Sequence, residues 1–199
     1  MFMNPTTIKM FKKTLCILLL AALITGCGND YMPKPDGYLR IDLPVKSYVM
    51  FDTVFPYSFE YPSYATVTGV KNAEQPYWSN IEIPRFSATI YLSYRPVNNN
   101  LGTYLEDTRM YVMKHIPKAS SIDELSIVVP GSHVSGIIYD IKGSEAASPC
   151  QFYLTDSSRH FLRGALYFNN KPDNDSLAPV IEFLKADIRH LAETLKWKN

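Results

Sequence analysis

The sequence predicts an α+β domain in which an antiparallel sheet is covered by two main helices. Three observations carry this. Near the carboxy terminus Leu177, Val180, Ile181, Leu184, Ile188, Leu191 and Leu195 fall on one face at helical spacing. Several short runs rich in β-branched and aromatic residues end at Pro or Gly, as antiparallel strands do. Between those runs one stretch, 101–115, changes to steps of three and four residues. The chain has 199 residues, 46% of them hydrophobic and 20% charged, with a formal charge of +1. That suits one domain with an extension, is too apolar for a disordered chain, and is too nearly neutral for a nucleic-acid binder.

The elements follow in order. Residues 38–43 alternate and stop at Pro44, a first strand; 57–61 end at Pro62 and 78–83 at Pro84. Thr89, Ile90, Tyr91, Leu92, Ser93 and Tyr94 form the clearest strand. Asn98, Asn99 and Asn100 offer a cap for the helix over 101–115, whose apolar positions are Leu101, Tyr104, Leu105, Thr108, Tyr111 and Val112, and Pro117 stops it. Residues 127–129 precede a Pro130–Gly131 turn, and 135–142, 151–155 and 161–169 make a meander. Ser176 caps the last helix, with Pro179 in its first turn. Cys150 is expected as a small core residue beside Phe152. This succession also resembles the Mog1/PsbP-like sandwich, a likeness that implies a fold and no activity.

The amino terminus divides the chain. Residues 1–26 read as a secretory signal: Lys9, Lys12 and Lys13 precede an apolar run of ten residues, Leu15 to Ile24. That run is half of what spans a bilayer, ~20 residues. Ile24, Thr25, Gly26 and Cys27 resemble a bacterial lipobox, which implies acylation of Cys27. Several acyl chains at ~0.8 kcal/mol per buried methylene hold a protein on a membrane without a spanning helix. Residues 27–36, with Pro33 and Pro35, form a short lipidated tether, and 37–199 a single globular domain. With the three signal lysines removed, 17 basic residues face 19 acidic ones, so no cationic surface is expected. Only Cys150 remains as a free thiol, and packing rather than disulfides must hold the domain. Gly28 follows Cys27 where an Asp would resemble an inner-membrane retention signal, and the single nearby acid, Asp30, is a poor match to an acidic surface-export cluster, a balance that favours the periplasmic face of the outer membrane.

Chemistry is sparse. The histidines at 115, 133, 160 and 190 include no i, i+4 pair and no C-x-x-C exists, so no metal or cofactor is expected. Asp156, Ser157, Ser158 and His160 have the residue types of a hydrolase, but Asp and Ser also form turns, and no nucleophile elbow accompanies them. No catalytic residue is assigned. All 14 tyrosines follow the signal segment. Tyr57, Tyr61 and Tyr64, flanked by prolines, suggest an aromatic edge offered to a partner. The same aromatics gathered in a concave cleft would instead suit a small-molecule or glycan-binding module.

Several strings together resemble the gliding motility-associated lipoprotein family GldD of Bacteroidetes. They are residues 31–35 (YMPKP), 37–44 (GYLRIDLP), 56–62 (PYSFEYP), 104–107 (YLED), 139–143 (YDIKG), 160–168 (HFLRGALYF) and 175–179 (DSLAP). The resemblance spans about 27–199, lipobox included. It implies a non-enzymatic, lipid-anchored accessory of the gliding and type IX secretion machinery, with the membrane and other machinery proteins as partners and Cys27 as the lipid site. Asp52-Thr53-Val54 and Asp175-Ser176-Leu177 also look like the O-glycosylation motif of that phylum, which makes Thr53 and Ser176 candidates.

Overall fold

The computed structural model describes residues 41–71 and 74–198. The signal segment 1–26, Cys27 and the tether 27–36 lie outside the described residues. In chain order the elements are β1 (Tyr48–Phe51), β2 (Tyr57–Pro62), β3 (Thr66–Gly69), β4 (Ser79–Ile83), β5 (Ala88–Pro96), α1 (Leu101–Met113) and β6 (Ser121–Val129). They continue with β7 (Val134–Lys142), β8 (Cys150–Thr155), β9 (His160–Phe168), α2 (Asn174–Thr194) and β10 (Lys196–Trp197). A seven-stranded sheet runs β3-β4-β5-β9-β8-β7-β6, and a three-stranded sheet runs β1-β2-β10. Every pairing is antiparallel. This is the expected α+β class with two main helices.

Alternation along the strands divides the large sheet into two unlike faces. On one, Ile81, Ile90, Leu92, Phe152, Leu154, Leu162 and Leu166 pack with Leu184, Ile188, Leu191 and Leu195 of the α2 stripe and with Tyr57 and Phe59 of the small sheet. Cys150 is fully buried in this core, as its neighbourhood predicts. The close packing leaves no room at Gly164, where a Cβ would stand 2.1 Å from the Phe152 ring. On the other face a smaller cluster of Val112, Tyr139, Ile141 and Ala146 seats α1. Among the described residues no helix is long and apolar enough to cross a membrane.

Some expected boundaries move. Residues 41–43 carry no strand; the first described strand is Tyr48–Phe51, fixed by its register with Phe59–Pro62. The strand read at 127–129 begins at Ser121, because β6 pairs with all of β7. Helix α2 starts at Asn174, so Ser176 lies inside the first turn and Pro179 inside the helix rather than near its cap. Tertiary contacts set that start: the Asn174 amide donates to Ser144 O at 3.0 Å, and its side-chain Nδ2 to Gly143 O at 2.8 Å and Ala146 O at 2.9 Å.

Candidate functional site

The residues singled out from the sequence do not converge. Tyr57 is a correction: it has no exposed surface, so it cannot belong to a docking edge. Its ring packs between Phe59 and Tyr94, and its hydroxyl donates to Tyr77 O at 2.8 Å, which satisfies the polar tip and permits burial. Tyr61 is half-buried against Phe59, and Tyr64 is half-buried with its hydroxyl donating to Asp187. Thr53 is exposed in the β1–β2 loop and Ser176 is exposed on α2.

The Asp156 set forms a turn. Asp156 Oδ1 accepts the amides of Ser158 (3.0 Å), Arg159 (2.8 Å) and His160 (2.8 Å). Burial pushes the carboxyl upward, but those N–H groups outweigh it and hold the pKa at about 2. Ser157 points outward with φ 65°, while His160 turns inward, with Nδ1 2.8 Å from Tyr94 OH and its ring stacked on Trp197. Nucleophile and base therefore face different surroundings. Among the described residues no group of three His, Cys, Asp or Glu could hold a metal ion.

The α1 face of the large sheet carries a different constellation. Register places Ser93 opposite Arg163 and Arg95 opposite Phe161 across β5 and β9, with Trp78 just ahead of β4. Tyr104, Asp107, Thr108 and Tyr111 recur at i, i+3, i+4 and i+7 along α1 and form the roof. Together these residues line a cleft of about 240 Å³ between helix and sheet. Arg95 at the mouth lies 3.7 Å from Asp107 and over the Tyr104 ring. Arg163 lies 4.7 Å from the Tyr111 centroid.

Arg163 is oriented by a relay. Its Nη2 donates to Gln151 Oε1 at 2.6 Å, and Gln151 is fully buried. Gln151 Nε2 lies 2.8 Å from His115 Nε2. Burial, with the nearby Arg163 charge, holds His115 below its usual pKa, so the ring is neutral and its Nε2 accepts from the amide. Arg163 Nε is buried and has no hydrogen-bond partner. Burial also lowers the guanidinium pKa. Nothing in the spacing of the sequence announces this cleft; its members come from four separate segments. The one available signal was the Tyr104–Thr108–Tyr111 stripe, which reads equally as an apolar helix face.

A second polar cluster fastens the amino-terminal segment of the described chain. The Asp187 side chain, on α2, is wholly buried and lies 2.5 Å from Lys46 Nζ. It also accepts from Tyr48 OH at 3.0 Å and from Tyr64 OH. Lys46 Nζ donates to Phe183 O at 2.6 Å and sits over the Phe183 ring. The Tyr48 ring stacks on His190 at 3.6 Å, and His190 Nε2 is 2.6 Å from Glu60 Oε2. Burial and the Asp187 carboxylate push the Tyr48 phenol up to about 12. Chemically the cluster ties residues 46–48 to α2. Outside it, exposed apolar side chains collect nearby in sequence: Leu43, Val45, Val49, Met50 and Val54.

Comparison with known proteins adds the family. No curated protein sequence matches the chain. The solution structure of cyanobacterial PsbP from Synechocystis sp. PCC 6803 is similar at 10% identity, over 75% of this chain and 95% of that one, with a TM-score of 0.41. The family model described as gliding motility lipoprotein GldD matches residues 28–197 of the 199. The chain belongs to the GldD family of gliding motility lipoproteins.

Proposed function

We propose that this protein is a non-enzymatic scaffold of the gliding motility and type IX secretion machinery, anchored by acylated Cys27 on the periplasmic face of the outer membrane. The family match over residues 28–197 is the observation that carries this reading. Two features support it. The Lys46–Asp187 cluster fixes the first described segment to α2, so the body is held firmly at the end from which an anchor would extend. Val49 and Met50 are exposed on β1, which among the described residues is an outer strand of its sheet and leaves one row of backbone groups for a partner. That strand, rather than Tyr57, is the docking surface.

Photo-crosslinkers placed at Met50 and at exposed Lys171, in cells carrying the full lipoprotein, test the reading. Discrete adducts with envelope proteins are expected from Met50 and not from Lys171. Equal yields from both, or full motility of a Cys27→Ser protein free in the periplasm, refute it. The cleft beneath α1 favours a second reading, a ligand-binding module, because Tyr104, Tyr111, Trp78 and Phe161 line a concave space with charged groups among them.

A further inference from the structure

We infer that the cleft between α1 and the large sheet is a binding site for a single acidic sugar unit, with the sugar carboxylate on Arg163. The inference rests on the cleft alone and is independent of the anchor and of β1.

The charge of the site points to an anion. Two guanidiniums, Arg95 and Arg163, face one carboxylate, Asp107, which pairs with Arg95. Among the described residues no carboxylate lies within ion-pair distance of Arg163. Its Nε is buried and donates to nothing. A half-buried cation without a counter-charge is costly, and the Tyr111 face offsets only part of that cost. The planar guanidinium offers paired N–H groups that match a carboxylate, and Gln151 fixes its plane from behind. A guanidinium held this firmly, with no carboxylate of its own, is preorganised for an incoming acceptor.

The walls select what carries the carboxylate. Trp78 supplies a ring for the C–H side of a sugar, and Tyr104, Tyr111 and Phe161, whose rings already meet Arg95, Arg163 and Tyr153, close the walls around it. Ser93, Asp107 and the Tyr111 hydroxyl supply polar partners for its hydroxyl groups. A purely apolar acid would leave those groups facing it unpaired. At about 240 Å³ the space lies below the ~300 Å³ where pockets for drug-sized ligands begin, so its occupant is one small ring.

The larger groove, about 770 Å³ between α2 and the β7 end, is a weaker candidate because its lysines already have acids. Lys118 pairs with Glu145, Lys142 with Asp123, and Lys185 with Asp140 and Glu182.

The test is calorimetric titration of the full lipidated protein in detergent micelles with glucuronate, glucose and benzoate. Glucuronate should bind saturably, with glucose and benzoate each at least ~10-fold weaker, as loss of one hydrogen bond to a charged group predicts. Arg163→Gln should weaken glucuronate by ~10-fold or more. Ser93→Phe, which fills the cleft while keeping the cation, should abolish binding and serves if Arg163→Gln does not fold. No binding of glucuronate, equal binding of glucose, tighter binding of benzoate, or wild-type affinity in Ser93→Phe overturns the inference. Crosslinks from Met50 that persist in Ser93→Phe keep the outcome separate from that of the scaffold reading.

Discussion

Asp187→Ala removes the one acceptor on which Lys46, Tyr48 and Tyr64 converge. Removing one partner of a buried ion pair costs ~3–5 kcal/mol, because the remaining groups are stranded. Lys46 is 29% exposed and can turn to water, which places the loss at the lower end, about 3 kcal/mol. That is more than a ~100-fold rise in the unfolded fraction. With a slope of ~2 kcal/mol per molar urea, the midpoint should fall by ~1.5 M. Hydrogen exchange adds the spatial test. Amides of Tyr48–Phe51 should lose protection well before those of β8 and β9, since β1 is an outer strand held by this cluster. Asp187→Asn keeps an acceptor for the tyrosines and loses the charge, so it should fall between wild type and Ala. A midpoint shift under ~0.3 M with unchanged β1 protection would show that Asp187 does not clamp this segment, and the reasoning would fail.

Other outcomes follow from the same geometry. Gly164→Ala should destabilise by ~2 kcal/mol or more in urea unfolding, because the new Cβ meets the Phe152 ring at 2.1 Å; in a Phe152→Leu background that cost should shrink. Burial holds His115 and His160 below 6.5, so the fold favours their neutral forms. Their contribution to stability is therefore complete above pH 6.5 and lost as pH falls below it, and melting at pH 7.5 against pH 5 should show a drop that His115→Gln reduces. Asp156, held at about 2, adds stability present above 3.8 and lost as pH falls toward 2, and Asp156→Ala should erase that acid step. Burial pushes the Cys150 thiol up to about 12, so thiol reagents should label it only when the chain unfolds, a result that pulse labelling with mass analysis reads directly.

What the sequence discloses depends on whether an element answers to one environment or two. The α2 stripe was legible because Val180, Leu184, Ile188 and Leu191 all face one core, and their spacing records it. Strand β6 was seen only at its end, since Asp123 to Ser126 are exposed at the outermost position of the sheet and leave no alternation to read. Two-residue β10 exists only through its pairing with Ser58 and Tyr57. Tyr57 was misplaced because its burial depends on an acceptor 20 residues away, Tyr77 O, which no local pattern contains. The cleft was hidden for a related reason. Trp78, Arg95, Tyr111 and Arg163 become neighbours only through the β5–β9 register and the seating of α1.

The two unlike faces of the large sheet have an evolutionary consequence. Leu92 and Ser93, or Leu162 and Arg163, are one peptide bond apart yet project to opposite sides of a shared backbone wall. Exchanges at Ser93, Arg95 or Arg163 therefore re-tool one side while the aliphatic inventory on the other stays untouched. A lineage can alter what the cleft recognises without renegotiating how the body holds together. Drift concentrated on the α1 side, with constancy on the α2 side, is the sequence record such an arrangement would leave.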